Sequence, residues 1–276
     1  MAAVARASAV ILKRGIMSLN ESSVKENLGT LSEKLSINIY KTIGSTNTEA
    51  KLAAEAGLTK NAIFAASEQT AGRGRLGRSF ASNKDKGLYL TILLANEMPA
   101  DFATSLTTYM AVIATRAISS LSSIDPKIKW VNDIYAGGKK LAGILTEGKA
   151  KSIGTLAYAA VGIGINVRKQ EFPDDVKGIA TTVEDECGEV IDLSELTAVI
   201  VKEFFENLKL VGTRELADEY RSRSFLIGER VSVIKPTVTY EATVTNITDK
   251  CELKLTLPDG SEEILSTGEV SVRPKI

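Results

Sequence analysis

Between Glu68 and Arg78 the chain alternates three glycines with three arginines (Gly72, Arg73, Gly74, Arg75, Gly77, Arg78) between apolar, strand-like flanks. Glycine admits positive φ and close backbone approach, and planar guanidiniums offer paired donors to phosphate or carboxylate oxygens. The spacing is that of a loop built to grip an anion. It is also compatible with a solvated basic loop, or with a nucleic-acid contact through phosphates. A second stretch, Lys129-Trp130-Val131-Asn132-Asp133-Ile134-Tyr135 followed by Gly137-Gly138-Lys139-Lys140-Leu141-Ala142-Gly143-Ile144-Leu145-Thr146-Glu147, adds acid, amide and ammonium chemistry on an expected hairpin. Gly162-Ile163-Gly164-Ile165-Asn166 closes an apolar run, and glycines inside a strand mark a bulge or a group pressed against the backbone.

Composition narrows the chemistry. The chain has no histidine, which removes His-based zinc sites and Ser-His or Cys-His nucleophiles. Acid–base work falls to carboxylates, lysines or the substrate. Cys187 and Cys251 lie far apart and outside any C-x-x-C spacing, as expected of reduced thiols. With 34 basic and 34 acidic residues the formal charge is zero, so the chain lacks the overall positive field of a dedicated nucleic-acid binder. No apolar run is long enough to span a bilayer.

These groups need elements to hold them, and a chain of 276 residues has room for a catalytic domain and a small appended module. Residues 1–35 are expected to be a flexible segment. The first twenty carry Arg6, Lys13 and Arg14 without an acid, the composition of an organelle transit segment or of a disordered tail. Met17 offers a second start, giving a cytoplasmic form, whereas a form from Met1 would be mitochondrial or plastid. From residue 36 to 226 we expect a mixed β-sheet with helices on one side. Its strands are Ile37–Tyr40, Asn61–Ser67, Gly87–Leu94, Ile128–Tyr135, Lys140–Thr146 and Thr155–Asn166. Its helices start at Thr46, capped by a Thr46/Glu49 box, and span Pro99–Leu121, Leu193–Leu208 and Glu215–Arg223. The stretch from Val167 to Glu189 reads as loose and without chemistry. Five short strands after Gly228, the last over Val270–Arg273, indicate a small SH3-like β-barrel over residues 227–276.

Taken together the motifs resemble those of the biotin protein ligases, over nearly all of the chain after residue 36. The resemblance rests on Ser45-Thr46-Asn47, Gln69 with Gly72 to Arg78, Lys129 to Asp133, Lys140 to Leu145, Gly162 to Asn166, and the β-rich C-terminus. It implies a two-step reaction in which biotin and Mg-ATP give biotinyl-5′-AMP, and a lysine of a biotin carboxyl carrier domain then takes the acyl group. Lys140, Asp133 and Arg75 would be catalytic. Ser45, Thr46, Asn47, Gln69, Gly72, Arg73, Arg75, Lys140, Gly143 and Gly162 would bind biotin. Arg73, Arg75, Arg78, Phe80, Trp130, Asn132, Lys140 and Asn166 would bind ATP and the adenylate, with Gly164 beside Gly162 in the floor. Asp133 would hold Mg²⁺ or take a proton from the acceptor lysine. The implied partners are carrier domains of biotin-dependent carboxylases, without DNA or membrane, and a homodimer stays open. Val131 stands where the family commonly has proline, Leu76 where some members have arginine, and Phe80 where some have tryptophan.

The alternatives are a lipoate-protein ligase or another acyl-adenylate transferase of the same fold, a nucleic-acid-binding module, a biotin-sensing repressor, and a catalytically idle paralogue. The first lacks this Gly-Arg-Gly-Arg loop joined to a Trp-x-Asn-Asp segment. Zero net charge disfavours the second, and no helix-turn-helix fits before residue 36. The retained Arg75, Asp133 and Lys140 disfavour the last.

Overall fold

The computed structural model describes residues 18–235, 237–266 and 271–274. The expected leader up to Met17 lies outside the described residues. Helices α1 (Glu21–Leu28), α2 (Thr46–Glu55), α3 (Ala100–Leu121), α4 (Val183–Cys187), α5 (Leu193–Glu206) and α6 (Arg214–Arg223) pack with two sheets. The larger sheet has β1 (Ser36–Tyr40), β2 (Ala62–Ala66), β3 (Gly87–Leu94), β4 (Met98–Pro99), β5 (Lys127–Lys129), β6 (Asp133–Ala136), β7 (Lys139–Ser152) and β8 (Thr155–Asn166). Its order is β1-β2-β3-β8-β7-β6-β5, with β4 paired to β8. The β1–β2 pair is parallel and the others are antiparallel, so the sheet is mixed. The smaller sheet is antiparallel and five-stranded, β12-β11-β10-β9-β13, from β9 (Arg230–Ile234), β10 (Thr239–Ile247), β11 (Leu253–Thr256), β12 (Glu262–Leu265) and β13 (Ser271–Pro274).

Helices cover both faces of the larger sheet, not one. All eight residues of β3 are buried. Leu88, Leu90 and Ile92 point into the main core with Leu106 and Met110 of α3 and Phe204 of α5. Leu93, of opposite parity, packs with Phe64, Ala160 and Ala50 of α2. A parallel β1–β2 pair requires a crossover connection, and α2 within that crossover covers the second face. The stripe Leu196, Ile200, Phe204 of α5 is fully buried. Each such side chain contributes roughly 1.5–3 kcal/mol.

Three further expectations are corrected. Residues 19–35 are not a flexible tail, because α1 docks on α5 and buries Val24 and Leu28. An eight-residue helix is marginal alone, and tertiary burial stabilises it. The Asn20 side chain accepts from Ser23 N at 2.8 Å, a cap worth about 1 kcal/mol, and Asn20 N donates to Ser194 Oγ at 3.1 Å. The signal was present as Asn20 with Val24 and Leu28 four apart. The Thr46/Glu49 box does not form: Ser45 occupies the N-cap position and makes no side-chain cap. The expected strand Ile128–Tyr135 is two strands, interrupted at Trp130–Asn132, with a cis peptide between Trp130 and Val131.

Candidate active site

On the α2 face of the sheet lies a cleft of about 1100 Å³. Its floor is β8, where Gly162 and Gly164 pair with Leu145 and Gly143 of β7. A Cβ at Gly162 would come within 2.0 Å of Asn47 Oδ1, and one at Gly164 within 2.5 Å of the Phe80 ring. Both positions therefore demand glycine because the protein's own side chains press on them. Of the two expectations for these glycines, a bulge or a group pressed against the backbone, the second holds, and the group is the protein's own side chain. Gly72 departs from expectation. It is not among the lining residues, and a Cβ on it would meet Phe80 O and Ser82 Oγ at 2.5 Å, so it serves the loop's own packing.

One end of the cleft is built from neutral polar groups. The backbone N–H of Thr46 and its hydroxyl both donate to Gln69 Oε1, at 2.8 and 3.1 Å, so a loop side chain does the work of the missing helix cap. Gln69 Nε2 donates to Ser82 Oγ at 3.1 Å. Asn47, buried at the start of α2, donates to Leu145 O and Glu147 Oε2, each at 3.0 Å. Its Oδ1 lies 2.6 Å from Thr91 Oγ1. Ser45, Thr46 and Asn47 are all about 5% exposed, so this network is sheltered from water.

The glycine-arginine loop crosses above. It folds on itself through Phe80 N to Gly72 O (3.0 Å) and Gly74 N to Arg78 O (2.8 Å), around a turn at Arg75–Gly77 where Gly77 has φ 74°. Arg73 reaches Glu147 Oε1 at 3.3 Å, and Arg75 Nη1 donates to Asn132 Oδ1 at 2.9 Å. Burial pulls the Arg75 guanidinium down from its ordinary value, while the neighbouring Asp133 charge opposes that shift. Burial would raise the Glu147 carboxyl, but hydrogen bonds from Lys51 and Asn47 and the charges of Lys51 and Arg73 hold it below the ordinary range.

The other end is cationic. Gly137 and Gly138, at φ 54° and 75°, form the expected two-residue hairpin turn between β6 and β7. Lys140 Nζ then stands 2.7 Å from Asp133 Oδ1, a charge contact without hydrogen-bond alignment. Gly143 leaves room for the Lys140 stem, since a Cβ there would lie 3.3 Å from its Cε. Arg78, Trp130 and Asn166 complete the expected lining. Trp130 is buried, and its indole N–H donates to Cys251 O at 2.8 Å. The cleft thus joins a sheltered hydroxyl–amide end to an end with guanidiniums, lysine ammoniums and the Asp133 carboxylate. Such an arrangement suits two anionic groups that must be brought together.

Several lining groups escaped the sequence reading. Phe172, Asp175, Val176, Gly178, Ile179 and Ala180 form a wall, held because Lys140 N donates to Ile179 O (2.8 Å) and Thr181 N to Lys140 O (2.9 Å). This segment has no periodic pattern that could have revealed it. Lys127, Lys129, Tyr135 and Phe225 line the cationic end; Lys129 Nζ sits 5.5 Å from the Tyr135 ring centre, and the Tyr135 and Phe225 rings are 5.3 Å apart. Burial, then the Asp133 charge, pushes the Tyr135 phenol up to about 12. Among the described residues no group of three His, Cys, Asp or Glu side chains could hold a metal ion.

Comparison with known proteins agrees with this geometry. Residues 39–166 match the family model described as "Biotin/lipoate A/B protein ligase family", and residues 226–273 match "Biotin protein ligase C terminal domain". The chain is 30% identical over 230 residues to the biotin--[acetyl-CoA-carboxylase] ligase of Paracoccus denitrificans, covering 80% of this chain and 94% of that one. It is 35% identical over 176 residues to the bifunctional ligase/repressor BirA of Bacillus subtilis, covering 63% of this chain. That match spans 54% of the Bacillus protein, about half its length. Among solved structures, a biotin protein ligase from Aquifex aeolicus in complex with biotin and ATP superposes with a TM-score of 0.73 at 28% identity, covering 87% of this chain and 99% of that one.

Proposed function

Because the chain belongs to the biotin protein ligase family, we propose that it attaches biotin, in an ATP-dependent reaction, to a specific lysine of carboxylase carrier domains, through biotinyl-5′-AMP. The observation that carries this reading is the position of Lys140. Its ammonium stands 2.7 Å from Asp133, and its stem lies against Gly143 in the cleft. In the first step a biotin carboxylate oxygen attacks the α-phosphorus of ATP and pyrophosphate leaves. Both reactants are anions, and the cations of Lys140, Arg75 and Arg78 would offset their repulsion. Ser45, Thr46, Asn47 and Gln69 would hold the polar ring of biotin, where paired donors and acceptors are needed within an apolar floor. In the second step the carrier lysine attacks the acyl carbonyl, AMP leaves, and the amine gives up a proton. Asp133 faces the reacting end and would take that proton. Phe80 over Gly164, with Trp130, Asn132 and Asn166, would hold the nucleotide.

Among the described residues no set of side chains makes a cage for a resident metal. Asp133 already faces Lys140, and magnesium fits here as part of the Mg-ATP substrate, carried by its phosphates. The test is mass spectrometry of a carrier domain incubated with the protein, Mg-ATP and either biotin or lipoate. Addition of a biotinyl mass to one lysine is expected. Addition of a lipoyl mass instead would redirect the assignment to a lipoate ligase, and no addition with either acid would overturn both.

A further inference from the structure

The four residues from Trp130 to Asp133 are each tied to a different part of the molecule. The Trp130 indole N–H donates to Cys251 O at 2.8 Å, in the turn between β10 and β11 of the smaller sheet. Val131 O accepts from the Tyr220 hydroxyl of α6 at 3.0 Å. Asn132 holds Arg75, and its Nδ2 donates to Ile144 O at 2.9 Å. Asp133 holds Lys140. Tyr220 is fully buried, and burial pushes its phenol far up, so it stays a protonated donor. The turn carrying Cys251 is itself fastened to α6, because Arg221 Nε donates to Ile247 O at 2.8 Å and Arg221 Nη2 to Asp249 Oδ1 at 2.9 Å.

We infer that Tyr220 and the β10–β11 turn are positioning groups for Asn132 and Asp133, so that the smaller sheet and α6 set the geometry of Arg75 and Lys140 without touching substrate. The backbone leaves little freedom between anchor and site. Val131 O is one residue from Asn132, and a shift of about 1 Å in a catalytic group is enough to cost on the order of 100-fold in rate. The hydroxyl–amide end, held by Gln69, Thr91 and Glu147, shares none of these anchors. Loss of the anchor should therefore affect nucleotide handling more than biotin binding.

This inference rests on the ligase reading, and the experiment separates the two. Biotin-dependent exchange of pyrophosphate into ATP is measured for the full chain, for Tyr220→Phe, and for Tyr109→Phe as a matched control. Tyr109 is also fully buried and also donates its hydroxyl to a backbone carbonyl, that of Phe204, but in the core between α3 and α5. Both variants delete one buried hydroxyl and leave one carbonyl without that donor, so they should lose similar thermal stability. Tyr220→Phe is expected to lower kcat/KM for ATP about tenfold, the consequence of losing one buried hydrogen bond, with a smaller change in biotin affinity by calorimetry. Tyr109→Phe should leave both constants alone. Arg221→Gln, which loosens the turn from α6 at a part-buried position, should move kcat/KM for ATP in the same direction by a smaller factor and carries the test if Tyr220→Phe does not fold. Equal effects of Tyr220→Phe and Tyr109→Phe, or equal changes for biotin and ATP, would overturn the inference, as would normal ATP constants in Arg221→Gln should Tyr220→Phe not fold. Absence of exchange in the unmodified chain would overturn the ligase reading itself.

Discussion

The two ends of the cleft are held in opposite ways. At the hydroxyl–amide end, Thr46, Asn47 and Gln69 satisfy one another at 2.6–3.1 Å through Thr91, Leu145 O and Glu147, and Ser45 lies beside them out of water. At the cationic end, Arg73 is half exposed, its contact with Glu147 is 3.3 Å, and Lys140 meets Asp133 without hydrogen-bond alignment. A neutral recognition site gains from rigid, pre-paired groups, because an unmatched buried donor costs about 1–3 kcal/mol. A site for reacting phosphates gains from cations that can exchange a protein carboxylate for a substrate oxygen. Rigidity marks the hydroxyl–amide end, and exchangeable charge marks the cationic end.

The largest expected effect is on the reacting end alone. Lys140→Ala should cost roughly 3–4 kcal/mol of transition-state stabilisation in adenylate formation, by analogy with loss of one preorganised donor. The protein should stay folded. Near-normal biotin-dependent pyrophosphate exchange in that variant would exclude the role. Arg75→Gly comes next. Removing the guanidinium that joins the loop to Asn132 should lower retention of the intermediate by ~1.5–3 kcal/mol, or about one to two orders of magnitude in escape rate. The dissociation rate of preformed biotinyl-adenylate and labelling of bystander lysines report it. A surface ion pair of ordinary strength, about 1 kcal/mol or less, would leave release unchanged.

Gly162→Ala probes the rigid end. The added methyl would displace the Asn47 amide from Thr91, Leu145 O and Glu147, and biotin affinity should fall roughly tenfold with ATP affinity unaffected. A uniform loss for both substrates would show that the two ends are not independent. The smallest effect is expected for Glu147→Gln. The carboxyl is held below its ordinary value in the folded state, so it stabilises the fold above the unfolded pKa, and that contribution fades as pH falls through the folded pKa. The variant should be less stable than the unmodified chain near neutral pH. The two should converge in acid below the ordinary glutamate range. A difference in denaturation midpoint that does not change with pH would assign Glu147 a role other than charge.

Much of this site was legible because its residues belong to short motifs whose local geometry is self-contained. The Gly137-Gly138 turn could be read because two positive-φ residues between alternating runs specify one hairpin, and that hairpin alone brings Lys140 back toward Asp133. The strands β3 and β8 could be read to the residue from their apolar runs and ends. The long amphipathic α3 likewise announced its buried face. What the sequence concealed depends on partners distant along the chain. Gln69 replaces the expected cap on α2, Cys251 takes the Trp130 indole N–H from a second sheet, and Asn47 and Phe80 fill the space over Gly162 and Gly164. The sequence by itself determined the types of chemistry, the strand order in time along the chain, and the positions where glycine is needed. Only the tertiary structure decided which groups meet, because a helix face or turn carries its own period in the sequence, while a hydrogen bond between residues 121 positions apart leaves no local trace in either partner.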